Sequence, residues 1–417
     1  MVFVPRQSIS IGWFEFLKAV FRLPFKSSCG REVKRWEELF ARFIGVPHAI
    51  SFISERAGTY FALKALKQIN NWEKPEIICP SYTFFSVPWA AKLAGWELRF
   101  ADVLREDLTM DPQSLIRQIN HRTKAIIVTH LNGKPCKMKE IGEIAKSHNL
   151  RLLEDCAHSM GVKVNERQVG SWDIGCFSFG DGKSLGTFCG GMITTSDSQL
   201  AKSLSEILDR FPEQPKSRIV RKWFDSLLLK VLTTGIFYPL LLYPMLRWFG
   251  YLSADSRKKD FLDFIKYVAE KDLTFKFSDL QALAGISQLS SLDRRNSIRR
   301  ANSVVFRANI SKETQEMMLP WDGKEAHTML HDSIVLDHGM NIVKRSLAKG
   351  IDVRLDYCTN CRNLPGMENF PGEDVIGKKL DGKIFFVPNH LGVNEKLSKR
   401  IAFELDKLIL ESKAIDK

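Results

Sequence analysis

Three short runs constrain this chain most: EIIC at Glu76–Cys79, AIIVTHL at Ala125–Leu131 and RLLEDC at Arg151–Cys156. Each is apolar, rich in β-branched or branched side chains and bounded by polar segments. Runs that do not alternate with polar residues suit strands covered on both faces. Between them lie stretches with helical periodicity, Thr59–Ile69 and Met138–His148. Strand alternating with helix predicts a doubly wound, parallel α/β sheet. Ligands on such sheets sit beyond the carboxyl ends of the strands. At 417 residues the chain has room for two or three folding units, with no internal repeat or low-complexity linker.

Composition narrows the partners. Apolar residues make up 44% and charged residues 26%, which excludes a disordered or collagen-like chain. Eight cysteines are too sparse for a disulfide scaffold and read as reduced thiols of a cytoplasmic protein. Lys plus Arg number 61 against 48 acidic residues, a net charge of +13 that calls for an anionic partner. No basic tail, zinc-finger spacing or RNA-binding aromatic motif points to nucleic acid.

Two places combine cations with large apolar residues. In Ile11–Lys26, a helix would carry Glu15, Lys18, Arg22 and Lys26 on one stripe. Trp13, Phe14, Leu17, Val20 and Phe21 would fill the rest. Charges interrupt this run and no small-residue cleavage site follows, so it does not read as a signal peptide. The second place is Lys216–Lys259. It opens with Ile219, Val220, Trp223, Phe224, Leu227, Leu228 and Val231 at helical spacing opposite Arg218, Arg221, Lys222 and Asp225. It continues through the uncharged 231–246, which holds Pro239 and Pro244, and closes on Arg257, Lys258 and Lys259. A spanning helix needs about 20 apolar residues and tolerates prolines poorly. The reading is therefore contact with an anionic membrane surface, on the inner face of the membrane. A buried subdomain and an oligomer interface are the alternatives.

The residues just after the strands carry the chemistry. Asp155 ends RLLEDC; an acid there also serves as a helix cap or metal ligand. Lys183 lies in FSFGDGKSLGTFCGG, a turn whose glycines let backbone approach a bulky ligand. A lysine in such a loop is commonly a solvated charge. Gly58 and Thr59 stand where a helix is expected to begin, and a helix start favours a phosphate, although Gly-Thr is also a plain cap. Together these pieces match the needs of pyridoxal phosphate: a lysine for the covalent link, a carboxylate at the pyridinium nitrogen, a phosphate cup and an aromatic ring on the cofactor face. Asp155 supplies the carboxylate, Gly58, Thr59 and Ser178 the cup, and Phe84 of PSYTFFS the ring. His158 lies one helical turn after Asp155.

These segments resemble the DegT/StrS-type aminotransferases, enzymes that aminate keto groups on nucleotide-linked sugars. The matching stretches are AGTYFALKAL, PSYTFFSVPWAAKLAGWELRFADV, TKAIIVTHLNGKP, LLEDCAHSMG, GCFSFGDGKSLGTFCGGMITT, FSDLQALAGISQLSSLDRR and FFVPNHLG, in family order from about Cys29 to Val393 except across Lys202–Asp272. The resemblance implies an aspartate aminotransferase-like fold, with a mainly parallel seven-stranded sheet in a large domain and a smaller α+β C-terminal domain. It implies Lys183 as the Schiff-base lysine and proton shuttle, Asp155 as the pyridinium partner, His158 near the ring, Phe84 stacked on it, and Gly58, Thr59 and Ser178 on the phosphate. It also implies a homodimer with shared sites, in which a loop gives an Asn and an Arg to the neighbour. Here Thr274 and Lys276 stand in their places, and Lys keeps the charge but loses the bidentate fork. GDGK replaces a Pro-Thr-Lys type run. Tyr357-Cys358-Thr359-Asn360-Cys361 lies where many members carry a substrate-side His. Its lone C-x-x-C has no second pair for zinc.

The expected organisation is an amphipathic arm at 1–27, a large cofactor-binding domain at 28–205, the basic and apolar insertion at 206–272 and a small domain at 273–417. The expected activity moves an amino group from an amino acid, glutamate, to a nucleotide-linked keto sugar for surface polysaccharide or glycolipid assembly. Two other classes stay open. One is a sugar dehydratase, whose members replace the lysine with His. The other is a non-catalytic, membrane-associated sensor or scaffold.

Overall fold

The computed structural model describes residues 2–22, 30–249, 273–321, 327–337, 339–355 and 358–415. The side chains of Val20 and Arg22, together with Lys26, Cys29, Arg257, Lys258, Lys259 and Tyr357, lie outside the described residues.

Seven strands form the central sheet. They are β1 (His48–Phe52), β2 (Glu76–Pro80), β3 (Glu97–Ala101), β4 (Thr123–Thr129), β5 (Arg151–Asp155), β6 (Ile174–Ser178) and β7 (Gly191–Thr195), in the order β1-β7-β6-β5-β4-β2-β3. From β6 to β3 all neighbours are parallel, and β7 alone runs antiparallel to β1 and β6. The three runs that opened the sequence analysis are β2, β4 and β5. Their inner residues, Ile77, Ile78, Ile126, Ile127 and Leu153, are fully buried, as strands covered on both faces require.

Helix Glu55–Ile69 covers one face of this sheet through Ala57, Leu63 and Leu66. Gly58 is a packing glycine: a Cβ there would lie 2.9 Å from Ile193 Cγ1 on β7. Helix Asp279–Leu289 opens on a capping box between Ser278 and Gln281. It lies against helix Arg31–Ile44 of the large unit, where Gly285 approaches the Trp36 ring so closely that a Cβ would sit 2.9 Å from it.

The second unit is built on β8 (His331–Val335), β9 (Arg354–Leu355) and β10 (Ile384–Pro388), with β10 central and antiparallel to both. Helices Leu292–Ala308 and Glu395–Ile415 close its core around Phe385, Val387, Ile401 and Leu405. The N-terminal arm adds Val2 and Val4 to that core. It then runs to the turn that holds Lys183, where Gln7 meets Gly182 and Ser10 meets Gly186.

The insertion begins with helix Lys216–Leu232 and continues through the turn Tyr238–Leu242 into helix Tyr243–Phe249. Its Trp223 and Leu227 pack with Phe16 and Phe188. Among the described residues, no helix is long and apolar enough to cross a membrane.

Candidate active site

The site forms where β5, β6 and β7 meet helix Glu55–Ile69. Gly191 organises this corner. It pairs with Ser178 across the β6–β7 ladder, and a Cβ on it would fall 2.2 Å from the Glu55 amide nitrogen. Only a glycine lets the first turn of the helix come so close to the strand end that carries Ser178.

That helix starts earlier than the sequence suggests. Ser54 is its cap and accepts from Ala57 N at 3.2 Å, and the Ser54 carbonyl accepts from Gly58 N at 3.1 Å. The first turn of the helix is therefore Glu55–Ala57. Gly58 has its N–H inside the helix ladder, and the Thr59 hydroxyl donates to Glu55 Oε1 at 2.7 Å. The two residues expected at the helix start thus stand one turn inside it, with Gly58 packed against Ile193 of β7. Sequence reasoning missed Glu55 and Arg56 because Gly-Thr and Ser-Glu are both acceptable helix starts.

Asp155 ends β5, and its Oδ1 accepts from Ala157 N at 2.9 Å. It is 5% exposed. Burial pushes its carboxyl up to about 7, the charge on Glu55 pushes the same way, and Lys183 pulls it back. Burial likewise raises Glu55, with Thr59, Arg56 and Lys183 opposing. Buried Asp155, half-buried Glu55 and the Lys183 amine thus share one electrostatic space. Glu55 is the carboxylate the sequence did not single out.

Lys183 sits in a turn closed by its own N–H donating to Gly180 O at 3.2 Å, with Gly182 in the left-handed region at φ +83°. His158 is buried, and its Nδ1 accepts from Asn132 N at 3.3 Å. Burial and then the Lys183 charge lower its pKa well below the usual imidazole value, so it is neutral. Phe84 is half-buried with its ring 4.4 Å from that of Phe85. The neighbouring Tyr82–Thr83 pairs with Thr359–Asn360 of the second unit. Thr274 lies half-buried in the loop before helix Asp279–Leu289.

Three further side chains reach this region from the second unit. His331 is lowered to about 3 by desolvation, with the charges of Arg354, Lys183 and Arg299 adding. Buried Arg299 donates to Ser184 Oγ, next to Lys183, at 3.3 Å. No local motif marks them, because helix Leu292–Ala308 and strands β8 and β9 bring them in from afar.

Two other clusters are structural. Glu154, beside Asp155, accepts from Gly170 N at 2.9 Å and Trp172 N at 2.8 Å, and it meets His130 Nε2 at 3.1 Å. With Cys156 these groups lie close enough to ligate a cation, but the carboxylate is already committed to backbone donors. Cys358 and Cys361 are buried free thiols, and burial raises both.

A half-buried lysine, a strand-end carboxylate and a helix start around one corner of a mainly parallel sheet define the class of α/β proteins built like pyridoxal phosphate aminotransferases. Residues 15–228, half of the chain, match the DegT/DnrJ/EryC1/StrS aminotransferase family, and the chain belongs to that family. It is 37% identical over 178 residues to the spore coat polysaccharide biosynthesis protein SpsC of Bacillus subtilis, covering 42% of this chain and 45% of that protein. It is also 37% identical over 177 residues to a UDP-N-acetyl-3-dehydro-alpha-D-glucosamine 3-aminotransferase of Acidithiobacillus ferrooxidans, covering 42% and 47%. The match thus spans about half the length of these curated relatives. The Helicobacter pylori aminotransferase PseC superposes with a TM-score of 0.76 over 99% of this chain and 100% of that one, at 18% identity. That likeness shows the fold.

The donor set fits pyridoxal phosphate, the cofactor of this family. It offers an amine, a carboxylate for a ring nitrogen, an aromatic side chain, and a helix start facing Ser178 for a phosphate.

Proposed function

We propose that this protein is a pyridoxal phosphate-dependent aminotransferase that moves an amino group from an amino acid, glutamate, to a nucleotide-linked keto sugar. The observation that carries this reading is the grouping of Lys183 with buried Asp155, at the carboxyl end of its strand, and with Glu55 at the facing helix start. The bound cofactor supplies an electron sink. Lys183 would hold it covalently and, once released, would move the proton at the substrate carbon. Asp155 would keep a proton at the ring nitrogen. Neutral His158 would not compete for that proton, and Phe84 would supply an aromatic face. Ser178 and the first turn of helix Glu55–Ile69 bind the phosphate, and Thr274 contributes across a homodimer. The intact lysine favours amination over dehydration and over a non-catalytic scaffold.

The names of the relatives support the substrate class, a keto sugar on a nucleotide used in polysaccharide assembly. The basic, apolar surface of the arm and insertion supports a place on the cytoplasmic face of a membrane.

Purified protein should be yellow, should bleach with glutamate and should regain colour when a keto sugar is added, with the amino sugar detected by mass. Lys183→Ala should lose all turnover. Turnover by that variant would remove Lys183 from the chemistry.

A further inference from the structure

Most of the exposed large apolar side chains among the described residues fall in two stretches far apart in sequence. One is helix Trp13–Arg22, with Trp13, Phe14, Leu17 and Phe21 outward. The other is the insertion, with Val220, Phe224, Leu228, Ile236, Phe237, Leu240, Leu241, Met245 and Trp248 outward. The exposures are extreme: 73% for Phe21, 72% for Ile236 and 87% for Trp248. A surface in contact only with water rarely gathers such residues.

The two stretches are joined. Phe16, the inward residue of the arm helix, meets Trp223 edge-on at 6.1 Å and Phe188 at 5.3 Å. Lys230 donates to the Ile9 carbonyl at 3.3 Å and to that of Ile11, and its ammonium lies 5.3 Å from the centre of the Trp13 ring. These contacts hold helices Trp13–Arg22 and Lys216–Leu232 side by side. The second leads directly into Tyr238–Leu242, which is anchored by buried Tyr238 and Tyr243 against Leu347.

We infer that helix Trp13–Arg22 and the segment 216–249 form one composite docking surface for an anionic bilayer. This rests on the reading of the chain as a peripheral membrane enzyme, and it adds the parts of the surface and the lipid class. Lys18, Arg221, Lys222 and Arg247 are exposed among the apolar side chains, against exposed Asp225 and half-buried Glu15 as the acids among the described residues of these segments. Lys18 folds over the Phe14 ring at 4.2 Å, the posture of a cation whose stem follows apolar surface. A second copy docked through the same surface would bring this positive set against itself, which disfavours self-association. Lipid headgroups of opposite charge match it. No described helix is long and apolar enough to span, so the aromatic side chains enter only the headgroup boundary, to a depth of about 5–10 Å.

The test is co-sedimentation of the full chain with phosphatidylcholine vesicles, with and without one quarter phosphatidylglycerol. Variants Phe14→Glu, Phe224→Glu and Trp248→Glu change one exposed residue in each part, and circular dichroism and cofactor uptake check that each folds. The expected result is at least about tenfold stronger binding to the anionic vesicles, and a loss of about tenfold or more in every variant. Equal binding to both vesicles overturns the lipid class. Loss in the insertion variants with Phe14→Glu unaffected overturns the composite surface. If a variant instead lowers the mass of the particle in light scattering, the surface joins copies of the chain and the inference fails. A wild-type chain that binds neither vesicle overturns the peripheral reading itself.

Discussion

Asp155 meets two demands that pull apart. Burial and the neighbouring Glu55 favour its protonated form, while a pyridinium nitrogen requires the carboxylate. Without cofactor its carboxyl titrates at about 7, so below that pH a proton must leave before the cofactor can bind. Cofactor affinity should therefore rise with pH, by up to about tenfold per unit below 7, and level off above it. Glu55→Gln removes the negative neighbour that raises Asp155, so its midpoint should move to lower pH. Cofactor titrations followed by absorbance across pH 5.5–8.5 read both effects, and a midpoint unmoved in Glu55→Gln would show that burial alone sets Asp155. An acid at a strand end and a lysine in a glycine-rich turn are local patterns, so the sequence could single out Asp155 and Lys183, and the fold brings the two within electrostatic reach of each other. Glu55, His331 and Arg299 were not legible there, since their part in the site comes from where distant elements bring them.

At the scale of elements, periodicity located β2, β4 and β5 within a residue or two. It misplaced the start of helix Glu55–Ile69, because capping preferences cannot rank Ser54 against Gly58-Thr59, and the fit against β7 decides. That fit gives Gly58 a role the sequence reading did not, and the two roles separate experimentally. Gly58→Val places a branched side chain where even a Cβ would lie 2.9 Å from Ile193 Cγ1. Overpacking of this kind costs about 1–3 kcal/mol. Thermal unfolding should show that loss. The fraction still folded should bind cofactor with near-native affinity, whereas a phosphate-binding glycine would lose affinity first. The insertion shows the same limit of pattern reading. Its helical spacing was legible, but that Trp223 and Leu227 turn inward while Phe224 and Leu228 turn out depends on the arm docking beside it. The same holds for Ser226, which is buried and donates to Asp181 Oδ1 at 3.1 Å, two residues from Lys183.

On the scale of the whole molecule, the N-terminal arm links what the sequence divided. Its first residues complete the core of the second unit, its middle lies over the Lys183 turn, and its helix packs beside helix Lys216–Leu232. One polar clamp fixes the first of these attachments. Arg6 Nε and Nη2 each donate to a carboxylate oxygen of Asp352 at 2.9 Å, and the Asp352 side chain is only 4% exposed. Next to it His390 Nε2 meets the Pro5 carbonyl at 3.0 Å. Removing Arg6 leaves a buried carboxylate without its fork, but Arg6 is itself 31% exposed, so solvent softens the loss. Arg6→Ala should cost about 1–2 kcal/mol, less than the deletion of a fully buried partner. Arg6→Lys should recover part of this, because it restores charge without the bidentate geometry. A double-mutant cycle with Asp352→Asn, read by denaturant unfolding, isolates the pair. A coupling of about 1 kcal/mol or more makes the clamp the polar anchor of the arm. Additive single effects would instead mean that the packing of Val2 and Val4 and the backbone hydrogen bonds of Val2 and Val4 to Lys349, Gly350 and Asp352 hold the arm without help from the clamp.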